Sequence, residues 1–322
     1  LKIYTVTDFD VPFEVVSVNY GIEGLSKYIK DCAVHTISFS DMKLRKINRD
    51  ESNDVLFIFE IGYPQHAGLT AKDLRKWFPN AKFITLCCDT MYYIKNNLPL
   101  QLPDQKEEIE LTLELNSNCR FWFDEKGIKN DLWMWTISDK LIDELMVLAG
   151  PLDFSIKDND FIGVYHPCSI SNVGSYRNNM IKYIKDNGYT FSQGGGTGHN
   201  DGNLEKIYRK YISSWFTLGT TSHNRPELTK EGTMKGFRDW IGPILNSLLI
   251  YDNHPNVKEL FPLHIIPNYE YGDFEKILKL AKILKEEKKL YLTILKSQKQ
   301  WAKDNTIDKQ LYRLLVKHNI VS

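Results

Sequence analysis

The chain of 322 residues has only five cysteines: Cys32, Cys87, Cys88, Cys119 and Cys168. An odd number with no C-x-x-C pair argues against a disulfide framework or a zinc ribbon. Reduced thiols in a reducing cytoplasm are therefore expected. No apolar run approaches ~18 residues, so no segment reads as a membrane span. The opening Leu1-Lys2-Ile3-Tyr4-Thr5-Val6 is too short an apolar stretch for a secretory leader and reads as a strand. Charge of one sign is not in excess: 41 Lys and Arg face 41 Asp and Glu. A general phosphate-coating surface needs a basic surplus and is excluded, although a local basic face is not.

Several catalytic signatures are missing as well. The eight histidines form no H-E-x-x-H or similar ligand spacing. No G-x-S-x-G supports a hydrolase triad. Neither the dinucleotide fingerprint G-x-G-x-x-G nor a P-loop is present, which weighs against a nicotinamide-dependent oxidoreductase. Asp8-Phe9-Asp10 has the form of a D-x-D metal motif, but two carboxylates alone specify no cation. No metal site is assigned, and no cofactor is expected.

What remains is an ordinary globular balance, 42% apolar and 25% charged, in a chain long enough for two domains. Short apolar runs over 2–6, 34–39, 55–59 and 81–88 read as buried strands, with further strands over 120–123 and 133–137. Leu25, Tyr28, Ile29 and Cys32 recur at helical spacing. Thr70 and Asp73 form a capping box ahead of Leu74, Trp77 and Phe78. Gly150-Pro151 interrupts the chain, and the alternation then restarts. Strands are expected over 161–165, 189–192, 214–218 and 248–251, with helices over 176–187, 204–212 and 240–245. From Phe274 the pattern is helical almost to the end. Alternation of this kind predicts two doubly wound parallel sheets of the α/β class, each Rossmann-like. The expected domains are 1–150, 151–300 and a C-terminal helix over 301–322 that returns to the first.

Parallel α/β sheets bind ligands beyond the carboxyl ends of their strands, which selects the candidate residues. Asp89 closes the strand 81–88 and is a carboxylate ionised at neutral pH, suited to a general base. Ser175 and Arg177 stand at the start of a helix, where backbone N–H groups and the helix dipole favour anions. A cation there opposes the dipole and calls for another partner, such as a diphosphate. The densest polar stretch, 220–238, holds Arg225, Glu227, Lys235 and Arg238, and arginine suits pyrophosphate because its fork is permanently charged and bidentate. Gly194, Gly195 and Gly196 form either a plain connection or a loop through which backbone approaches a phosphate or sugar. Lys43, Arg45, Lys46 and Arg49 form a basic patch that is either a solvated face or a polymer-binding one.

The order of these motifs resembles the GT-B class of glycosyltransferases. Within that class the layout is similar to the T-even phage DNA β-glucosyltransferases, and the second half to the CgeB-like glycosyltransferases. The resembling segments are 81–89, Gly174-Ser175-Tyr176-Arg177-Asn178, Arg238-Asp239-Trp240, Leu248-Leu249-Ile250-Tyr251-Asp252 and Tyr271-Gly272-Asp273-Phe274. The resemblance implies a GT-B fold with a cleft between its two sheets, and a nucleoside-diphosphate sugar, UDP-sugar first, as donor substrate. It implies Asp89 as the base that activates an acceptor hydroxyl. Arg177, Ser175, Arg225, Glu227, Arg238 and Asp239 would contact the donor. Asp8, Asp10, His66, Lys43 and Arg45 would lie on the acceptor side. The phage likeness implies a hydroxymethylated pyrimidine in double-stranded DNA as acceptor, in a host cytoplasm, with inversion. The CgeB likeness implies a polysaccharide, spore-coat or small-molecule acceptor. A non-catalytic nucleotide-sugar-binding module is the third reading. In one place the sequence departs from the family: Ile241 stands where the R-x-W-E motif carries the glutamate that binds the donor ribose.

Overall fold

The computed structural model describes residues 1–7, 13–60, 67–87, 103–114, 120–134, 136–164, 172–194, 204–219, 237–253 and 263–322. For 7, 13–17, 103–104, 164, 172–175, 194, 237–239 and 263 it describes the backbone only. The chain forms two compact units, Leu1–Asp139 with Thr306–Ser322, and Lys140–Asn305.

The first unit contains β1 (Lys2–Thr7), α1 (Phe13–Gly24), β2 (Ala33–Ser38), α2 (Phe39–Lys43), β3 (Val55–Glu60), α3 (Ala71–Leu74), β4 (Lys82–Cys87), β5 (Leu111–Glu114), α4 (Arg120–Glu125) and β6 (Asn130–Leu132). Its six strands are parallel in the order β2-β1-β3-β4-β5-β6. β3 is apolar up to its last residue, Glu60, because both faces of the sheet are covered; Val55 to Phe59 are all buried. Phe57, Phe59, Phe78 and Phe83 pack together on one face. Thr70 and Asp73 make the expected reciprocal cap at α3. The helical spacing expected over Leu25, Tyr28, Ile29 and Cys32 is not an α-helix: α1 ends at Gly24, Leu25–Lys27 is a single 3-10 turn, and Leu25 and Ile29 are buried as the chain leaves it.

Two expected strands are corrected. Residues 120–123 are helical, in α4, and 133–137 lie after β6 rather than forming it. A short aromatic run cannot distinguish strand from helix by itself. Here Phe123 is fully buried while Phe121 is 65% exposed, and that one-sided burial belongs to a short surface helix.

The second unit takes nearly all of α5 (Asp139–Ala149), then β7 (Asn159–Val164), α6 (Asn172–Asp186), β8 (Phe191–Gly194), α7 (Leu204–Ile212), β9 (Ser214–Gly219), α8 (Phe237–Ile244), β10 (Leu248–Asp252), β11 (Asn268–Tyr269), α9 (Phe274–Glu286) and α10 (Lys288–Asp304). Its five strands are again parallel, in the order β11-β10-β9-β7-β8. Gln298 fastens α10 to this sheet: its Oε1 accepts from Leu249 N and its Nε2 donates to Leu249 O, each at 2.9 Å. Trp301 stays in this unit, stacked on the buried Trp240 of α8 at 4.1 Å.

Helix α8 lies close on β9 because Gly242 has no side chain. A Cβ there would stand 2.0 Å from Thr217 Oγ1 and 2.6 Å from Thr217 Cβ. Thr217 is buried and bonded to Ser247 Oγ at 3.0 Å, so it has little room to move. Gly242→Ala is expected to cost about 1–3 kcal/mol through overpacking, despite the better helix propensity of alanine. A urea midpoint equal to wild type would refute this account of the contact.

The chain returns to the first unit as α11 (Ile307–Lys317). The departing and returning segments are tied together there. Ile307 N donates to Ile137 O, Asp139 N to the Asp308 carboxylate, and the Tyr28 hydroxyl to Asp139. Gly21 and Gly24 of α1 let α11 approach closely; a Cβ on either would strike Ile307 or Asp308.

Candidate functional site

The strand orders locate the ligand edges. In an open parallel sheet the crevice opens at the carboxyl ends, where successive connections leave in opposite directions. In the first unit β1 is flanked by β2 and β3, so the switch lies between β1 and β3. In the second, β7 is flanked by β8 and β9, and the switch lies between β7 and β9.

The loops at the second switch lead into α6 and α8, which is where the expected donor residues fall. Ser175 and Arg177 lie in the first two turns of α6, and Arg177 is half-buried. Arg238 and Asp239 are the second and third residues of α8. Arg225 and Glu227, in the stretch after β9, lie outside the described residues, as do Gly195 and Gly196. Gly194 ends β8, the edge strand on the far side of β7 from the switch.

In the first unit Asp8 and Asp10 follow β1, and His66 falls between β3 and α3; Asp89 is two residues past the end of β4. All four lie outside the described residues. The basic patch follows β2. Arg45 donates to Ala67 O at 3.0 Å and Gly68 O at 3.3 Å, fastening the segment that follows His66. Lys43 Nζ sits 4.1 Å over the Phe39 ring, and Arg49 pairs with Glu51. Much of the patch is thus engaged within the chain.

The structure also brings forward residues that pattern reading missed. Glu114 ends β5, is fully buried, and sits in register with Cys87 on the strand that leads to Asp89. Asp252 ends β10 and is 1% exposed. Asn253 follows it and donates to Glu270 at 2.7 Å. The signal for Glu114 and Asp252 was present in the sequence: an apolar strand closing on a carboxylate, the pattern that singled out Asp89. Ile241 is wholly buried in α8, so that position offers nothing to a ligand. Among the described residues no group of three or more His, Cys, Asp or Glu is placed to hold a metal ion. No described helix is long and apolar enough to cross a membrane.

No protein-family model and no curated protein matches this sequence. Solved structures do match. The HepE protein of Anabaena in complex with UDP-glucose is similar at a TM-score of 0.57 and 10% identity, over 98% of this chain and 99% of that one. Sucrose-phosphate synthase of Thermosynechococcus elongatus is similar at 0.58 and 9% identity, over the whole of both chains. A trehalose-6-phosphate synthase, studied for glycosyl transfer with retention, is similar at 0.59 and 11% identity, over 99% of each. The fold is therefore GT-B, built of two Rossmann-like doubly wound parallel sheets.

Proposed function

We propose that this protein is a glycosyltransferase that takes a sugar from a nucleoside-diphosphate sugar, UDP-sugar first, and transfers it to an acceptor hydroxyl. One observation carries the reading. In a GT-B fold, the two arginine-bearing segments picked out in the sequence lead from the two strands that border the switch point of the second sheet. Arg177, Arg225 and Arg238 would neutralise charge growing on the departing diphosphate, with Ser175 and the α6 N-terminus as further donors of hydrogen bonds. Glu227 and Asp239 would be further donor contacts in this reading. Asp89 would take the acceptor proton as the hydroxyl attacks the anomeric carbon, giving inversion. Retention is the second reading, favoured by the likeness to a trehalose-6-phosphate synthase studied for that outcome. The anomer formed decides between them.

For the acceptor we propose the hydroxyl of a hydroxymethylated pyrimidine in duplex DNA, on the strength of the phage resemblance and of Lys43 and Lys46 in the exposed patch. A polysaccharide or small-molecule acceptor is the alternative, favoured by the intramolecular partners of Arg45 and Arg49. Duplex binding that weakens steeply with salt supports the first, and no binding at low salt supports the second.

The donor reading is tested by thermal denaturation with UDP-, GDP- and other activated sugars. A ligand at about 100 times its Kd adds roughly 2.7 kcal/mol to apparent stability, a shift of a few degrees in a chain of this size. A flat response to every nucleotide-sugar would defeat the donor reading. Binding without transfer or donor hydrolysis would leave a non-catalytic binding module.

A further inference from the structure

The rim of the second sheet holds an aromatic and polar cluster that the reading above does not use. Tyr271, two residues past β11, lies flat on Tyr176 of α6, with ring centroids 4.1 Å apart and planes 8° apart. Tyr176 is held from two sides: its hydroxyl accepts from Gly272 N at 3.3 Å, and Phe274 leans on its ring at 5.4 Å. One face of Tyr271 is covered in this way, yet the residue is 46% exposed. Tyr269 fixes the height of the cluster, because its hydroxyl donates to the carbonyl of Gly219, the last residue of β9, at 3.4 Å. Glu270 is exposed between the two tyrosines and accepts from Asn253, which directly follows β10. Asn253 Oδ1 is buried with no hydrogen-bond partner among the described residues. A flat ring and a carboxylate, on consecutive residues after β11, thus stand on the same rim as an amide that directly follows β10 and bonds to that carboxylate.

We infer that this cluster holds the nucleoside half of the donor, with Tyr271 stacking under the base and Glu270 accepting from the ribose hydroxyls. The inference rests on the proposed donor reading and supplies residues for the part of the donor that the buried Ile241 leaves unheld. Every base has a π-face, so a supported tyrosine ring with a free side suits any of them. Two neighbouring hydroxyls can both donate to one carboxylate, a charge-assisted arrangement that isoleucine cannot offer. The Asn253 amide, donating to the other side of Glu270, would keep that carboxylate aimed. The opposing explanation is that Tyr271 only covers α6; such a ring would be indifferent to nucleotide.

The test is calorimetric titration of the full chain with UDP, GDP and ADP, then with the 2′-deoxy analogue of whichever binds best, and with inorganic pyrophosphate. Tyr271→Ala is expected to weaken the nucleotide by about tenfold or more while Tyr271→Phe stays near wild type. Pyrophosphate affinity should be the same in all three. Glu270→Gln should weaken the ribonucleotide and erase the wild-type preference for it over the 2′-deoxy form. Both positions are exposed, so thermal midpoints should hold. If Tyr271→Ala lowers the midpoint, the Phe variant and Glu270→Gln still decide. Wild type that binds nucleotide, with Tyr271→Ala and Glu270→Gln binding it equally well, overturns the inference alone. Wild type that binds none of the three overturns the donor reading and the inference with it.

Discussion

Asp89→Asn is expected to lower sugar transfer by about 10²–10⁴-fold while changing donor affinity little, the range for loss of a positioned general base. The change removes a charge and a basic oxygen but keeps the size and shape of the side chain. An ordinary aspartate is ionised at neutral pH, with a pKa near 3.9, so it can accept the proton an attacking hydroxyl must lose. The amide cannot. Donor affinity is separable because the proposed donor residues all belong to the second unit, whereas Asp89 follows β4 of the first. Initial rates at saturating donor, paired with calorimetry on the nucleotide-sugar, distinguish the two quantities. Wild-type turnover in Asp89→Asn would end the assignment. The next carboxylate to examine would be Glu114, which is buried and in register with Cys87 on the neighbouring strand.

The alternation of strands and helices was readable because parallel strands covered on both faces must be apolar throughout. Val55 to Phe59 and Leu248 to Tyr251 announce themselves for that reason, and all are buried. Strand order was not readable. It depends on pairings between segments far apart in sequence, and nothing local records that β1 lies between β2 and β3. The short strands Leu111–Glu114, Asn130–Leu132 and Asn268–Tyr269 carry too few residues for a period to show. The aromatic run from Phe121 to Phe123 misled because a six-residue surface helix buries Phe123, half-covers Trp122 and leaves Phe121 in solvent.

The same division holds at the site. Residues whose signal is local, such as Arg177 early in a helix and the carboxylate after a strand, could be named from the sequence, although α6 begins at Asn172 and so puts Arg177 in its second turn rather than its first. The Tyr176–Tyr271 stack could not, because its members come together only when α6 and the end of β11 are placed. The absent glutamate at Ile241 was visible as a departure from a motif. Its consequence appears only with the side chain seen wholly buried, and with Glu270 found at the same rim.

Arg177→Ala and Arg238→Ala are each expected to reduce kcat/KM by about 10²–10³-fold, the usual effect of removing one group that meets charge developing in a transition state. Arg177 is in the second turn of α6 and Arg238 in the first turn of α8, the helices entered from β7 and β9 across the switch point. A cation in the first turn of a helix works against the dipole, by typically 0.3–1 kcal/mol. Arg238 is so placed, and an anion in the crevice would compensate it. The diphosphate gains charge as the sugar departs, so the loss should fall more on kcat than on donor affinity. Lysine should restore only part of either loss, because it keeps the charge without the bidentate fork. If both arginines meet the same leaving group, the double variant should lose less than the product of the single losses, since the first deletion already spoils the shared geometry. Rates for the four members of that cycle, measured at fixed salt, decide the point. Strictly multiplicative losses, or single variants within a few-fold of wild type, would mean that the two guanidinium groups do not act on a common anion.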